Sequence, residues 1–337
     1  MSRSFKVVQY GIGPIGQSCL KTILSKGGHI ELVGAIDIDP EKVGKDVSEI
    51  LNLEEPTGVI VSSDAANVLS TSQPDVVVHT TSSFLARMYD QLILCASHGA
   101  NVISSTEELS YPYERHPEIS SELDQVAREN GVTILGTGVN PGYAMDALAL
   151  MATGVCNEVR SITINREVDA GLRRRPLQMK VGAGITEAEF AEKKATGLFG
   201  HIGLVESIHI LASGLGWNID RIEEHLDPVI SKKQVVTPYL TVEEGMVAGI
   251  HHHAYGYDGN ELLLTLDLKM FVGAEDPRDA VKVDGDPPMD MIVRGGIFGD
   301  TATVATLVNG IPQTFDAQPG LQTVKDVPLV RAFGTRS

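Results

Sequence analysis

Short apolar runs alternate with longer amphipathic stretches through the first part of the chain. FKVVQY (5–10), HIELVGAIDID (29–39), VIVSS (59–63), DVVVHTTSS (75–83), NVISSTEE (101–108) and VTILGTGVNPG (132–142) read as strands. Between them QSCLKTILSKGG, AANVLSTS, FLARMYDQLILCASHG and SSELDQVAREN read as helices, the first with Cys19, Leu20, Ile23 and Leu24 on one face. Continuously apolar strands separated by helices specify a parallel sheet covered on both faces. Beyond residue 151 the pattern changes to alternation, in EVRSITINREVDA (158–170) and in the long segment 249–274. There Tyr257-Asp258-Gly259-Asn260 supplies a hairpin turn. SIHILASGLG reads as a helix, TEAEFAEKKA as an acidic stretch, and GDTATVATLVNGIP (299–312) as a closing helix. The second half is thus an α+β domain with a mainly antiparallel sheet.

A length of 337 residues exceeds the ~250–300 at which single cores stop growing. The change of pattern divides the chain into residues 1–145 and 146–299, with 300–337 expected to return to the first domain. Lys and Arg number 27 against 44 Asp and Glu, a net charge of −17, which excludes nucleic acid as a natural partner but not a small anion held locally. No apolar run approaches the ~18–20 residues of a membrane helix. The N-terminus carries no cleavable-signal pattern. Cys19, Cys95 and Cys156 are scattered without CxxC spacing, so a reduced, cytoplasmic protein is expected.

The first strand runs into Gly11-Ile12-Gly13-Pro14-Ile15-Gly16, then a helix, then a strand ending at Asp37, 21 residues after Gly16. That order is the dinucleotide-binding arrangement: one glycine for the turn, one for approach to the pyrophosphate, one for helix–strand packing. The helix N-terminus faces the phosphates. The fold is therefore a Rossmann-type, doubly wound parallel sheet. Asp37 accepts hydrogen bonds from the adenosine ribose and repels a 2′-phosphate, favouring NAD; Lys42 and Lys45 offset part of that repulsion, so NADP stays open.

Ligands of such sheets bind outside the carboxyl ends of the strands. This selects Thr80, Thr81 and Ser82, then Ser105 to Glu108 with Thr106, then Gly138 to Gly142. Ser82 or Ser83 capping the next helix is an equal reading of the hydroxyl run. Asn140 is placed to bond the nicotinamide or a substrate nitrogen, or to form a turn with Pro141 and Gly142. Arg166 can meet a carboxylate, and Arg173-Arg174-Arg175 an anion or surface acids. His251 and His253 share a strand face but lack a third ligand at metal spacing, so no metal is expected.

Two segments, Ser104-Ser105-Thr106-Glu107-Glu108-Leu109-Ser110-Tyr111-Pro112 and Gly136-Thr137-Gly138-Val139-Asn140-Pro141-Gly142, resemble the 2,4-diaminopentanoate dehydrogenases and native amine dehydrogenases. Val33 to Asp37 and Val43 to Asp46 match the same group, whose architecture is that of dihydrodipicolinate reductase. The resemblance implies NAD(P)-dependent interconversion of a primary amine or diamino acid with a carbonyl and ammonia, in a homodimer built through the second domain. It also implies a catalytic carboxylate at Glu107 or Glu108, with Glu108 favoured; adjacent side chains of an extended segment point oppositely, so at least one of the two is a surface acid capping the following turn and the sequence does not separate them. By the same resemblance Asn140, Pro141, Met145, Leu198, Ile202 and Thr303 face the substrate pocket, core packing being the competing reading for the apolar ones. Residues 166–175 lack the paired-His, Lys and Gly-Thr motif of the reductases, which disfavours reduction of a cyclic imine. A non-catalytic nucleotide sensor is disfavoured because it needs no proton-transfer group.

Overall fold

The computed structural model describes residues 3–197 and 199–334. One compact unit runs to Tyr143 and resumes at Gly299; the other is Ala144–Phe298. The first begins β1 (Phe5–Tyr10), α1 (Pro14–Ser25), β2 (Ile30–Ile36), α2 (Val47–Leu51), β3 (Val61–Ser62) and α3 (Ala65–Ser72). It continues β4 (Val76–His79), α4 (Leu85–Ser97), β5 (Asn101–Ser104), α5 (Pro117–Glu129) and β6 (Thr133–Gly136). The second unit opens with α6 (Ala147–Thr153), β7 (Glu158–Asp169), α7 (Arg175–Lys180), α8 (Glu187–Ala195) and α9 (Leu204–Leu215). Then come β8 (Arg221–Ile230), β9 (Val235–Val236), β10 (Thr241–Val242), β11 (Val247–Asp258), β12 (Glu261–Phe271), β13 (Arg278–Asp286) and β14 (Met289–Arg294). The chain finishes in the first unit with α10 (Gly299–Asn309), α11 (Ile311–Asp316) and β15 (Gly320–Gln322).

The first unit is a seven-stranded sheet of order β15-β6-β5-β4-β1-β2-β3, and every pair in it is parallel. The strands are buried on both faces, as their unbroken apolar runs require. On one face Val8, Val77, Val102 and Ile134 pack with Leu69, Leu92 and Leu123 from α3, α4 and α5. On the other, Val7, Val76, Val78 and Ile103 meet Cys19 and Ile23 of α1 and Val304, Leu307 and Ile311 of the returning chain. The C-terminal helices thus complete a face that α1 alone leaves partly bare. Strand order reverses between β1 and β4, which makes their carboxyl ends the ligand crevice of the sheet.

Three strands end sooner than their apolar runs suggest. β4 stops at His79 and β6 at Gly136, and β5 stops at Ser104, where Glu107–Ser110 forms a 3-10 turn instead of extended chain. The hydroxyl-rich and Gly-rich residues that follow are loops on the ligand side. The expected single closing helix is two, α10 and α11, meeting at Gly310 and Ile311.

The second unit is built on a six-stranded sheet, β14-β13-β7-β12-β11-β8, in which β7–β12 alone is a parallel pair. The β11–β12 hairpin turns where predicted, with Asp258 opposite Glu261 and Gly259 at φ +57°. The acidic stretch is α8, started by a reciprocal Thr186–Glu189 capping box. Among the described residues, no helix is long and apolar enough to cross a membrane.

Candidate active site

The glycine turn after β1 has three different environments. Gly11 lies at φ +87°, and a Cβ there would meet the Thr80 carbonyl oxygen at 2.7 Å. A Cβ on Gly16 would fall 2.0 Å from the Gly11 carbonyl oxygen, so α1 approaches β1 only because that residue is glycine. At Gly13, the N-cap of α1, a Cβ would meet nothing within 4 Å. That open space, at the positive end of a 12-residue helix with Pro14 as its first residue, fits the pyrophosphate of a dinucleotide.

The turn is held from beneath. Thr80 Oγ1 donates to the Gly11 carbonyl (2.8 Å) and accepts from Gln9 Nε2 (2.8 Å). Ile12 is wholly buried, and its N–H donates to Asp37 Oδ2 at 2.6 Å. Of the residues predicted to touch cofactor, Ile12 and Thr80 therefore shape the cradle with side chains turned inward. Asp37 Oδ1 accepts from the Asp39 N–H (2.9 Å), and Lys42 Nζ stands 3.4 Å from Asp37 Oδ2 and 3.0 Å from Asp39 Oδ2. Burial opposes the charge on Lys42, but the Asp39 and Asp37 carboxylates outweigh it and raise its pKa. The next residue, Ile38, is 82% exposed. An apolar side chain left in water beside the ribose position is suited to cover a flat base.

Past β4 and β5 a buried polar network fixes the crevice wall. His79, fully buried, has Nδ1 2.9 Å from Ser104 Oγ and Nε2 2.8 Å from Gln91 Oε1 and 2.9 Å from Thr81 Oγ1. Burial pushes its pKa down to about 4, against a smaller opposing effect of Gln91, so the ring is neutral. Ser104 donates to Thr106 Oγ1 (3.0 Å), and Thr106 donates to the Ser82 carbonyl (2.8 Å). The Thr106 hydroxyl is thus spent inside the protein, contrary to the expectation that it contacts cofactor. Thr81 remains exposed and Ser82 half-buried.

The two adjacent glutamates differ sharply. Glu108 is buried; its Oε2 accepts from the Leu85 N–H at the start of α4 (2.7 Å) and lies 3.0 Å from His116 Nε2. Its own N–H donates to the Ser83 carbonyl (3.3 Å). At the start of α4, Glu108 from the loop after β5 therefore meets the Leu85 N–H, while Ser82 Oγ accepts the preceding Phe84 N–H (3.3 Å) and Ser83 supplies no side-chain cap. Glu107, half-buried, stands at the opening of the 3-10 turn, directly after the strand end. Sequence reasoning favoured Glu108, whose carboxylate the fold uses to join α4 to α5.

At the end of β6, Gly142 lies at φ +123°, and a Cβ there would fall 2.4 Å from the Gly138 nitrogen. Asn140 and Pro141 are joined by a cis bond, and both are buried. Thr303 of α10 accepts the Val139 N–H (3.3 Å), fastening this loop.

Within the second unit the predicted substrate residues differ in exposure. Met145 is fully buried and Ile202 half-buried; Leu198 lies outside the described residues. Arg166 is 3% exposed, bonded to Asp279 Oδ1 and to the Ile297 carbonyl (2.8 Å). Asp279 Oδ2 in turn accepts the Ile297 N–H (2.6 Å). Arg166 is a paired internal charge fastening β7, β13 and residue 297, not a group open to a substrate carboxylate. Arg173 is likewise buried, its guanidinium 4.5 Å from the Phe298 ring centre, where an anion or surface acids were expected to meet it. His251 faces Asp267 (3.1 Å) and stacks near His253, but among the described residues no group of three or more His, Cys, Asp or Glu is arranged to hold a metal.

Residues 143–336 match the family model of the 2,4-diaminopentanoate dehydrogenase C-terminal domain, and residues 5–135 that of the dihydrodipicolinate reductase N-terminus. The chain is 35% identical to the 2,4-diaminopentanoate dehydrogenase of Acetoanaerobium sticklandii, over 97% of its own length and 94% of that protein. It is 23% identical to an amine dehydrogenase of Streptomyces virginiae, over 97% of each. The solved amine dehydrogenase of Mycobacterium smegmatis is similar in structure, with a TM-score of 0.85, 27% identity, and coverage of 98% of this chain and 97% of that one. The chain belongs to the 2,4-diaminopentanoate dehydrogenase family.

Proposed function

We propose that this protein is an NAD(P)-dependent amine dehydrogenase whose proton-handling group is Glu107. The observation that carries the reading is whole-length kinship to a diaminopentanoate dehydrogenase, in a chain that sets a carboxylate one turn past β5 on the ligand side of a nucleotide-binding sheet. The reaction converts a protonated primary amine, NAD(P)⁺ and water into a carbonyl, NAD(P)H, ammonium and a proton. Bound at the glycine turn, the nicotinamide nucleotide supplies the hydride acceptor.

The residues of the chain do the rest. Glu107 pairs with the substrate ammonium, takes one proton so that the nitrogen lone pair can expel hydride from carbon, passes that proton to solvent, then draws a second from water as it attacks the iminium and returns it to the departing nitrogen. Glu108, capping α4 and facing His116, holds the turn that aims Glu107. Asn140 and Gly142, in the tight loop after β6, offer amide groups to the nicotinamide or the substrate nitrogen. The first unit carries the nucleotide; the second carries substrate selection and the contact of a homodimer. Asp37, at the end of β2, makes NAD the preferred nucleotide.

A panel of short amines and diamino acids, offered with NAD⁺ and NADP⁺, tests the reading. Absorbance of reduced nicotinamide is expected to rise with at least one amine, and ammonium to appear in equal amount. Silence across the panel, with nucleotide binding intact, removes the dehydrogenase assignment. Sedimentation at twice the chain mass checks the dimer.

A further inference from the structure

We propose that His225, His251 and His253, stacked on the outer face of the second unit's sheet, are an acid-sensitive release for the contact between two copies of this chain. The inference rests on the reading that the second unit carries the contact of a homodimer. α9 packs on β11 and β12, and α6 on β7 and β13, which covers one face of that sheet and buries Ile250, His252 and Ala254. Their neighbours along β11, His251, His253 and Tyr255, turn to the other face and are only half-buried. His225 of β8 lies opposite His253, its ring 5.2 Å from the His253 ring, which is 4.5 Å from that of His251. His253 Nδ1 is shut from water and, among the described residues, has no hydrogen-bond partner. A buried polar atom left in this state points to a group that a single chain lacks. A second copy suits the place, because an isologous contact lays a surface on itself and this one carries both signs of charge, Asp227 and Asp267 against Lys269.

The charges around the stack set the direction of the response. From β8 come Asp227, opposite His251, and Glu223, opposite Tyr255 and already paired with Arg221. From β12 come Asp267, opposite His253 and 3.1 Å from His251 Nε2, and Lys269, opposite His251. Lys194 of α8 reaches to 3.9 Å from Asp227. Asp227 and Asp267, the first shared with a lysine, thus face the imidazoles of His225, His251 and His253. Burial lowers the pKa of His253, and His251 and His225 lower it further, while Asp227 and Asp267 oppose them. The ring is neutral near neutral pH, when flat uncharged imidazoles suit a contact surface. Seating a second copy strips the remaining water and brings a second set of histidines to the same surface, which disfavours the charged form further. The separated copies therefore bind more protons than the pair, and acid drives them apart. Charge on the whole molecule pulls the other way: at −17, acid relieves repulsion between copies, so a contact without the histidines tightens as pH falls.

Sedimentation of the full-length protein at about pH 7.5 and about pH 5.5, with circular dichroism confirming the same fold at both, tests the proposal. The dissociation constant of the dimer is expected to rise about tenfold at the lower pH. His253→Gln should dimerise at the higher pH and lose most of that rise. Asp267→Asn, which removes an opposing acid, should move the rise to lower pH. Tyr255→Arg, a charge set on the same face, should give monomers at the higher pH. A dissociation constant unchanged or lower in acid overturns the proposal, as does an equal rise in His253→Gln. Should His253→Gln fail to dimerise, Asp267→Asn decides: a rise at an unshifted pH overturns the proposal. A Tyr255→Arg dimer as tight as the unaltered one puts the contact elsewhere on the molecule and overturns it too. An unaltered protein that is monomeric at the higher pH removes the homodimer reading itself, whereas a dimer indifferent to acid removes the histidine release alone.

Discussion

Glu107 and Glu108 show how much a single step along the chain changes a side chain's work. Both follow a strand end and both are acids, but the buried Glu108 carboxylate meets the Leu85 N–H and His116, while Glu107 is half-buried at the start of the 3-10 turn. Replacing each by glutamine should separate the roles. Glu107→Gln is expected to lower kcat by about 100-fold or more with little change in melting temperature, as for loss of a proton-transfer group. Glu108→Gln should cost about 1–2 kcal/mol in stability through the weakened cap, visible as a lower melting temperature, with a smaller effect on kcat. The reverse pattern would hand the proton chemistry to Glu108.

His79 makes a second residue-scale prediction. Its pKa is held near 4 against an ordinary value of 6.5. Between those values the unfolded chain binds a proton that the folded one refuses, so this contribution to stability is complete above pH 6.5 and lost as pH falls toward 4. The full loss is on the order of 3 kcal/mol. Unfolding measured at pH 6.5 and 4.5 should show the fall, and His79→Gln should flatten it. If the variant and the unaltered protein lose the same stability over that interval, His79 is not the source.

At the scale of elements, the glycine turn carries two separable functions. Gly16 is required by packing, since a Cβ would overlap the Gly11 carbonyl oxygen; Gly13 borders open space. Gly16→Ala is therefore expected to destabilise the fold by about 2 kcal/mol or more, the range for overpacking. Gly13→Ala should melt normally but bind NADH about tenfold more weakly, its methyl group standing where the phosphate approaches. A Gly13→Ala protein with normal NADH affinity would mean that the open space is not used. This distinction was already legible in the spacing of the glycines. The parallel strands were legible too, because burial on both faces writes an unbroken apolar run. Elements of the second unit were harder: β8, RIEEHLDPVI, buries only Leu226 fully and carries charge along its length. Strand β13 likewise draws its order from a partner distant in sequence, Arg278 pairing with Glu167, and β14 folds back on it with Arg294 opposite Arg278.

Over the whole molecule, the charge of −17 resolves into local uses. Asp37 ties strand end to glycine turn, Asp279 neutralises Arg166, and Glu108 caps a helix. Arg166 is the instructive case: an arginine on a strand of the presumed substrate domain suggested carboxylate binding, and the fold used it as an internal tie. Sequence distance hid this pairing, since Arg166 and Asp279 meet only when β7 and β13 lie in register.

The sequence alone determined the features that are local in the chain. These are the glycine turn and its acid at fixed spacing, the alternation of apolar strand and helix, the hairpin at Asp258-Gly259, and the segments that mark the family. Each depends on backbone geometry or periodicity over a few tens of residues. Which hydroxyl is spent inside, which of two adjacent acids is a cap, and whether an arginine is free or paired were decided by tertiary structure. A polar side chain is committed by whichever partner the fold brings within about 3 Å, and that partner can lie anywhere in the chain.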